Sequence, residues 1–182
     1  MLEIFKKLLK PPIFDNEEDS HRAYLLNIIL WGLVLMPVPY VAYIQFFEPE
    51  MAKRAWIQAG VGEAVNFFLL FIMRRGYVKA ASAIQVVAFW LFFTVTALTS
   101  EGVQSEAYIF GYPLVILIAG LLLGAKSAIG VTALSLSSGL WMVFQRNIGL
   151  IPESTPSTAT FTWVISLIIF PMFAVLQYLS NK

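Results

Sequence analysis

The sequence contains no cysteine and a single histidine, His21. Without cysteine the chain cannot form a disulfide framework or a thiolate metal site, and it has no cysteine nucleophile. One imidazole group leaves almost no scope for histidine-based catalysis or metal binding. These absences exclude disulfide-stabilised domains, thiolate metal proteins and cysteine-dependent enzymes.

Charged residues are also scarce. Asp, Glu, Lys and Arg make up 13% of the chain, about half of their share in an ordinary soluble domain, whereas apolar residues make up 59%. A disordered chain would combine low hydrophobicity with a high net charge, and the net charge here is only +1. The composition therefore excludes both classes and predicts an integral membrane protein.

Long apolar runs dominate what is present. A hydrocarbon core of about 30 Å takes roughly 20 residues of helix, and six suitable runs lie between the charged segments. They span residues 23–47, 52–73, 77–98, 107–123, 127–144 and 158–179. Because the connections are short, we expect an all-α membrane protein. Its six-helix transmembrane domain would occupy residues 23–182, after a cytoplasmic amphipathic and acidic segment at residues 1–22.

The basic residues predict the orientation of these helices, because Lys and Arg near helix ends are retained on the cytoplasmic side. Only Lys53, Arg54 and Arg146 fall on the side opposite the N-terminus, and the other nine of the twelve Lys and Arg residues fall on its own side. Both termini are therefore expected in the cytoplasm. Residues 1–10 have one apolar and one basic helical face, which predicts contact with anionic lipid of the bilayer.

Aromatic residues gather near the outer ends of the predicted helices. Aromatic rings usually anchor membrane helices at this level, which includes Trp56, Tyr108, Phe110, Tyr112 and Trp163. We therefore expect them to form an outer aromatic belt.

Glu63 is the most informative single residue. It lies roughly 15 Å from either end of its predicted helix, and a carboxyl group at the bilayer centre costs several kcal/mol unless it is paired, protonated or hydrated. Asn66 shares its helical face, and Gln85 on the next helix is predicted at roughly 12 Å depth. Ser135 and Ser138 reach a similar level from the fifth helix.

Two interpretations of this polar set remain open. Glu63, Asn66, Gln85, Ser135 and Ser138 would form either a ligand- or proton-responsive site or a hydrogen-bonded clamp that holds the bundle together. With no basic residue at that depth, the Glu63 carboxyl group is expected to be largely protonated. The first interpretation includes a small-molecule ligand, whose identity the sequence does not indicate.

No catalytic constellation is visible in the sequence. It has no P-loop, no dinucleotide fingerprint, no His-carboxylate metal pattern and no Ser-His-Asp set. We therefore expect no enzymatic activity, no metal, no cofactor and no nucleic-acid partner. The predicted sixth helix has no lysine for a retinal Schiff base, which excludes a rhodopsin.

Several short motifs follow one another in a recognisable order. They are Pro-Pro-Ile-Phe-Asp-Asn-Glu-Glu-Asp at 11–19, Ala-Tyr-Leu-Leu-Asn-Ile-Ile at 23–29, Arg-Arg-Gly at 74–76, Gly-Val-Gln-Ser at 102–105 and the apolar stretch from Gly-Tyr-Pro to Leu-Leu-Gly at 111–124. This order resembles the six-helix N-terminal membrane regions of bacterial multidomain sensor proteins, notably histidine kinases of the Chloroflexota type. The resemblance covers nearly the whole chain.

The resemblance implies an input module in the bacterial plasma membrane. In such proteins the last helix continues into cytoplasmic kinase or cyclase domains, and no catalytic residue lies in the membrane region. The resemblance also implies a homodimer or a larger membrane assembly, since these sensors signal by moving paired helices.

Two other functions remain as alternatives. One is the substrate-binding membrane component of a vitamin or metal transporter, a class that shares the helix number, the length and the cytoplasmic termini. The other is an accessory subunit of a larger membrane complex. A co-purifying small ligand would indicate the first, and stoichiometric partner proteins would indicate the second.

Overall fold

The computed structural model describes residues 12–148 and Leu150. The α-helices of this part are α1 (Glu17–Leu35), α2 (Pro37–Phe47), α3 (Ala52–Arg74), α4 (Val78–Leu98), α5 (Tyr112–Leu123) and α6 (Ala125–Asn147). Short 3₁₀ turns occupy Pro49–Met51 and Gly102–Gln104, and a π-helical turn occupies Ala107–Gly111. No strand occurs within these residues, which confirms the all-helical prediction for them.

Four helical segments are long and apolar enough to cross a membrane. They are Glu17–Phe47, Pro49–Arg74, Val78–Leu98 and Ala125–Asn147, and Ala107–Leu123 is a shorter apolar segment. These segments coincide with the first five predicted runs and are compatible with a multi-pass membrane protein. The sixth predicted run and the predicted amphipathic stretch at residues 1–10 lie outside the described residues.

Helix α1 begins six residues before the predicted apolar run. Asn16 caps it, because its side-chain oxygen accepts a hydrogen bond from the backbone nitrogen of Glu18 at 3.0 Å. Acidic side chains in the first turn favour this end, since the helix dipole is positive there. Arg22 pairs with Glu18 one turn away, at 2.8 Å. The capped acidic turn therefore lets the helix begin among the charged residues that precede the apolar run.

The first apolar run is interrupted by prolines. Helix α1 ends at Leu35 and α2 begins at Pro37, with Met36 between them still donating its backbone N–H to Gly32 at 3.0 Å. Pro37 has no backbone N–H to continue the hydrogen-bond ladder, but its fixed φ suits the first position of a helix. The run therefore consists of two successive helices.

The described residues form two compact units that divide within α4, after Gln85. In the first unit, α1 and α2 both contact α3. Its buried side chains include Leu26, Ile29, Leu69 and Met73. One carboxylate oxygen of Asp19 lies 3.8 Å from the Lys79 ammonium nitrogen, so the starts of α1 and α4 lie at the same end of this unit.

The second unit begins at Val86 and contains a hairpin of α5 and α6. Gly124 forms the turn between them with a φ of +87°, a backbone conformation that L side chains rarely adopt. Leu114, Val115 and Ile118 of α5 are buried, as is Met142 of α6. The hairpin is the frame that carries the polar network described next.

Candidate functional site

The backbone leaves regular α-helical geometry just before α5. Residues Ala107–Gly111 form a π-helical turn, and Pro113 follows in the first turn of α5 without a backbone N–H to donate. Single π-helical turns are rare, and they occur frequently at functional sites. This turn carries Tyr108 and leads directly into Tyr112.

Aromatic rings surround the start of α5. The Tyr112 ring stacks on the Trp90 indole of α4, with ring centroids 6.1 Å apart and planes within 7° of each other. Tyr108 packs directly against the Tyr112 ring, with a centroid distance of 4.8 Å and a tilt of 59° between the planes. Tyr112 is only 3% exposed, so its hydroxyl group depends on the protein for its hydrogen bonds.

A chain of hydrogen-bonding side chains runs through the Tyr112 hydroxyl group. The Tyr112 oxygen lies 2.8 Å from Thr94 Oγ1 on α4 and 2.9 Å from Ser138 Oγ on α6. At the two ends, Thr94 donates to the Trp90 carbonyl oxygen at 2.7 Å and Ser138 donates to the Ser135 carbonyl oxygen at 3.0 Å. The chain therefore joins three helices of the second unit, and we call it the Tyr112 network.

The Tyr112 network has more contacts than protons. Three hydroxyl groups supply one proton each, whereas each of the four oxygen–oxygen contacts needs a proton of its own. If Tyr112 donates to Thr94, Ser138 can donate to Tyr112, and the contact with the Ser135 carbonyl then lacks a proton. If Tyr112 donates to Ser138, Thr94 can donate to Tyr112, and the contact with the Trp90 carbonyl lacks one. In every arrangement the Tyr112 proton therefore has one of two directions, toward Thr94 or toward Ser138.

The Trp90 side chain adds a second hydrogen-bonded connection between the network and α6. Its indole nitrogen donates to Ser135 Oγ at 3.2 Å, so Ser135 contributes both its hydroxyl oxygen and its backbone carbonyl oxygen. All of these groups are neutral hydrogen-bond donors or acceptors. Among the described residues no group of three or more His, Asp or Glu side chains is placed to hold a metal ion.

Two glycines make the aromatic packing possible. A methyl group at Gly139 of α6 would overlap the Tyr108 hydroxyl group, and one at Gly111 would overlap the Phe93 ring. Gly139 follows Ser138 directly, so Tyr108 and Tyr112 both reach α6 at adjacent positions. This close approach fixes the spacing between the π-helical turn and α6.

The loop that precedes the π-helical turn is also held to α6. Arg146, in the last turn of α6, donates to Gln104 Oε1 at 2.7 Å and to the Glu101 carbonyl oxygen at 3.4 Å. The loop, the π-helical turn and the Tyr112 network are therefore all attached to the same helix.

The predicted polar set is divided between the two units. The structure brings Ser135 and Ser138 together in the Tyr112 network of the second unit. Glu63, Asn66 and Gln85 belong to the first unit, where Asn66 and Gln85 are buried and Glu63 is half-buried. One carboxyl oxygen of Glu63, Oε2, is buried and has no hydrogen-bond partner among the described residues.

Sequence reasoning missed Trp90, Thr94 and the role of Tyr112. The assignment of Tyr112 to an outer aromatic belt is wrong, because its ring is buried and its hydroxyl group bonds to protein groups. Pro113, directly after Tyr112, was the available signal, since a proline near a helix start disturbs the backbone ladder.

No model of a known protein family, no curated protein and no solved structure matches this chain.

Proposed function

We propose that this protein is a sensor or input module of the bacterial plasma membrane, without catalytic activity of its own. It would receive a stimulus within its helices and pass it through its C-terminal end to a cytoplasmic output. The observation that carries the proposal is the Tyr112 network, in which the Tyr112 proton has two possible directions at a junction of three helices.

An input module needs an element with two discrete arrangements whose balance a stimulus can bias. The Tyr112 network supplies one: Tyr112 donates its proton either to Thr94 of α4 or to Ser138 of α6. Each direction of the Tyr112 proton favours a closer approach of the helix that accepts it, either α4 or α6. This preference is strengthened because hydrogen bonds are stronger in a medium of low dielectric constant. The π-helical turn adjoins this junction and is a place where the backbone has less regular support.

The proposal includes a topology and an assembly. Six transmembrane helices would place both termini in the cytoplasm, as the distribution of basic residues favours. A homodimer is the simplest assembly that turns a shift between helices into a signal, since the paired helices then change their relative placement.

The experiment joins a histidine-kinase output domain after Lys182, through a series of linker lengths that covers one heptad, and measures phosphorylation of its response regulator. Thr94→Val removes one end of the Tyr112 network, and Tyr112 can then donate only to Ser138. Ser138→Ala removes the other end, and Tyr112 can then donate only to Thr94. The two variants should shift the output in opposite directions by about threefold, which corresponds to the roughly 0.6 kcal/mol of a typical interhelical hydrogen bond.

The chain offers a matched control for each substitution. Thr132 donates to its own helix at the Ala128 carbonyl oxygen, and Ser137 does so at the Ala133 carbonyl oxygen; within residues 12–148 neither hydroxyl group bonds to another helix. Thr132→Val and Ser137→Ala should therefore leave the output at the parent level. An output that stays at the parent level for Thr94→Val and Ser138→Ala at every linker length, with equal expression, contradicts the proposal.

A further inference from the structure

Two buried polar side chains of the first unit lack hydrogen-bond partners. Ser82 and Gln85, both on α4, are 0% and 2% exposed. Ser82 Oγ and Gln85 Oε1 have no partner among the described residues. Buried polar atoms are nearly always hydrogen-bonded, so each of these two needs a bonding group that the protein atoms described here do not supply.

The Ser82 hydroxyl group behaves differently from most others in these helices. Ser127, Thr132 and Ser137 each donate to the carbonyl oxygen four residues earlier in their own helix. This local bond is the usual way in which a helical serine or threonine is satisfied away from water. Ser82 makes no such bond among the described residues, so its hydroxyl group still needs an acceptor.

Ser82 and Gln85 are placed to share one bridging molecule. Residues three apart on a helix lie on the same face, with Cβ atoms about 5–6 Å apart. A single water bonded at about 2.8 Å to each of two oxygens spans a separation of this size. Water can donate to Gln85 Oε1, which only accepts, and can accept from the Ser82 hydroxyl group.

We infer that an ordered water molecule is bound in the first unit between the side-chain oxygens of Ser82 and Gln85. The site suits water because its two groups are neutral and buried, and together they need both a donor and an acceptor. It accounts for both unpartnered oxygens of α4 with one molecule.

Water-edited solid-state NMR on the full chain in proteoliposomes tests this site. Polarisation from water should reach the Ser82 Cβ and Gln85 Cδ signals at least about threefold faster than it reaches two dry controls. Ala81 is equally buried on the same helix, and Ser135 is equally buried but already accepts from the Trp90 indole. Equal rates for Ser82, Gln85 and the two controls would overturn the inference.

Substitutions then test whether the two residues share one water. Gln85→Leu should slow the transfer to Ser82 Cβ to the rate of Ala81, and Ser82→Ala should slow the transfer to Gln85 Cδ in the same way. The melting temperature of the double variant should fall by less than the sum of the two single shifts, because both residues hold the same molecule. Unchanged transfer to Ser82 in Gln85→Leu, or additive shifts, would contradict a shared site.

Discussion

Thr94 Oγ1 and the Tyr112 hydroxyl oxygen lie 2.8 Å apart although the Thr94 proton already has an acceptor, the Trp90 carbonyl oxygen at 2.7 Å. While Thr94 makes that bond, Tyr112 must be the donor between them. The same reasoning applies at the Ser138 end, where Ser138 also has a carbonyl acceptor. Tyr112 therefore chooses between two acceptors, and this choice links α4 to α6 through α5.

The first prediction concerns the direction of the Tyr112 bond. Thr94→Val should fix Tyr112 as a donor to Ser138, and Ser138→Ala should fix it as a donor to Thr94. In protein carrying ¹³Cζ-labelled tyrosine, the Tyr112 signal should therefore differ between the two variants, with the parent between them. Identical Tyr112 signals in both variants would show that the hydroxyl proton has a single fixed direction.

The second prediction is that Tyr112→Phe costs little stability. Removing the central hydroxyl group leaves two protons for two contacts, since Thr94 and Ser138 each keep a carbonyl acceptor. The Phe ring retains the stacking on Trp90. We expect a loss below about 1 kcal/mol in the free energy of unfolding, less than the usual penalty for leaving buried partners unsatisfied. Chemical unfolding in mild detergent measures it, and a loss of about 3 kcal/mol would refute the proton count.

The third prediction concerns the close approach of Tyr108 to α6. Gly139→Ala should destabilise the protein by about 1–3 kcal/mol, because the added methyl group overlaps the Tyr108 hydroxyl group. Tyr108→Phe removes that hydroxyl group and should recover part of the loss in the double variant. Gly130→Ala is the control on the same helix: nothing lies within 4 Å of the added methyl group, and alanine is the better helix former. Its melting temperature should equal or exceed that of the parent.

The helices themselves were largely predictable, whereas the site was only partly so. Each of the first five apolar runs falls on a helical segment, because hydropathy alone distinguishes them from their charged connections. The start of α1 was missed because Asn16 and the acids after it stabilise a helix end without being apolar. Of the polar residues selected by predicted depth, Ser135 and Ser138 take part in the Tyr112 network, whereas Glu63, Asn66 and Gln85 lie in the first unit.

Tyr112 was misplaced for a different physical reason. A tyrosine at the outer end of an apolar run is typical of an interfacial anchor, and nothing in the hydropathy pattern distinguishes a buried one. The π-helical turn before it adds a residue to the turn and rotates the following side chains relative to a regular helix. That rotation is absent from any periodicity analysis that assumes 3.6 residues per turn.

The fourth prediction tests the topology. Reporter fusions after Arg75, Lys126 and Lys182 should indicate the cytoplasm, and a fusion at Gly102 should indicate the outside. The proximity of Asp19 and Lys79, 3.8 Å between charged atoms, supports an even number of crossings between the starts of α1 and α4. Replacing Arg74 and Arg75 by Gln should weaken retention of this turn, since basic residues set the orientation. An external reporter at Lys182 would disprove the six-helix topology.

The last prediction concerns Glu63, whose carboxyl oxygen Oε2 is buried without a hydrogen-bond partner among the described residues. An unsatisfied polar atom is costly in an apolar environment, so replacing the group by a hydrocarbon of similar size removes a penalty. We expect Glu63→Leu to raise the melting temperature in detergent, whereas Glu63→Gln, which keeps the shape and the polarity, should leave it within about 0.5 kcal/mol of the parent in free energy. A carboxyl group that has a bonding partner should give the opposite result, because Glu63→Leu would then remove a stabilising hydrogen bond. If Glu63→Leu lowers the melting temperature and Glu63→Gln does not, then Oε2 is satisfied by a group beyond residues 12–148, by water or by a second copy of the chain, and Glu63 stabilises the fold.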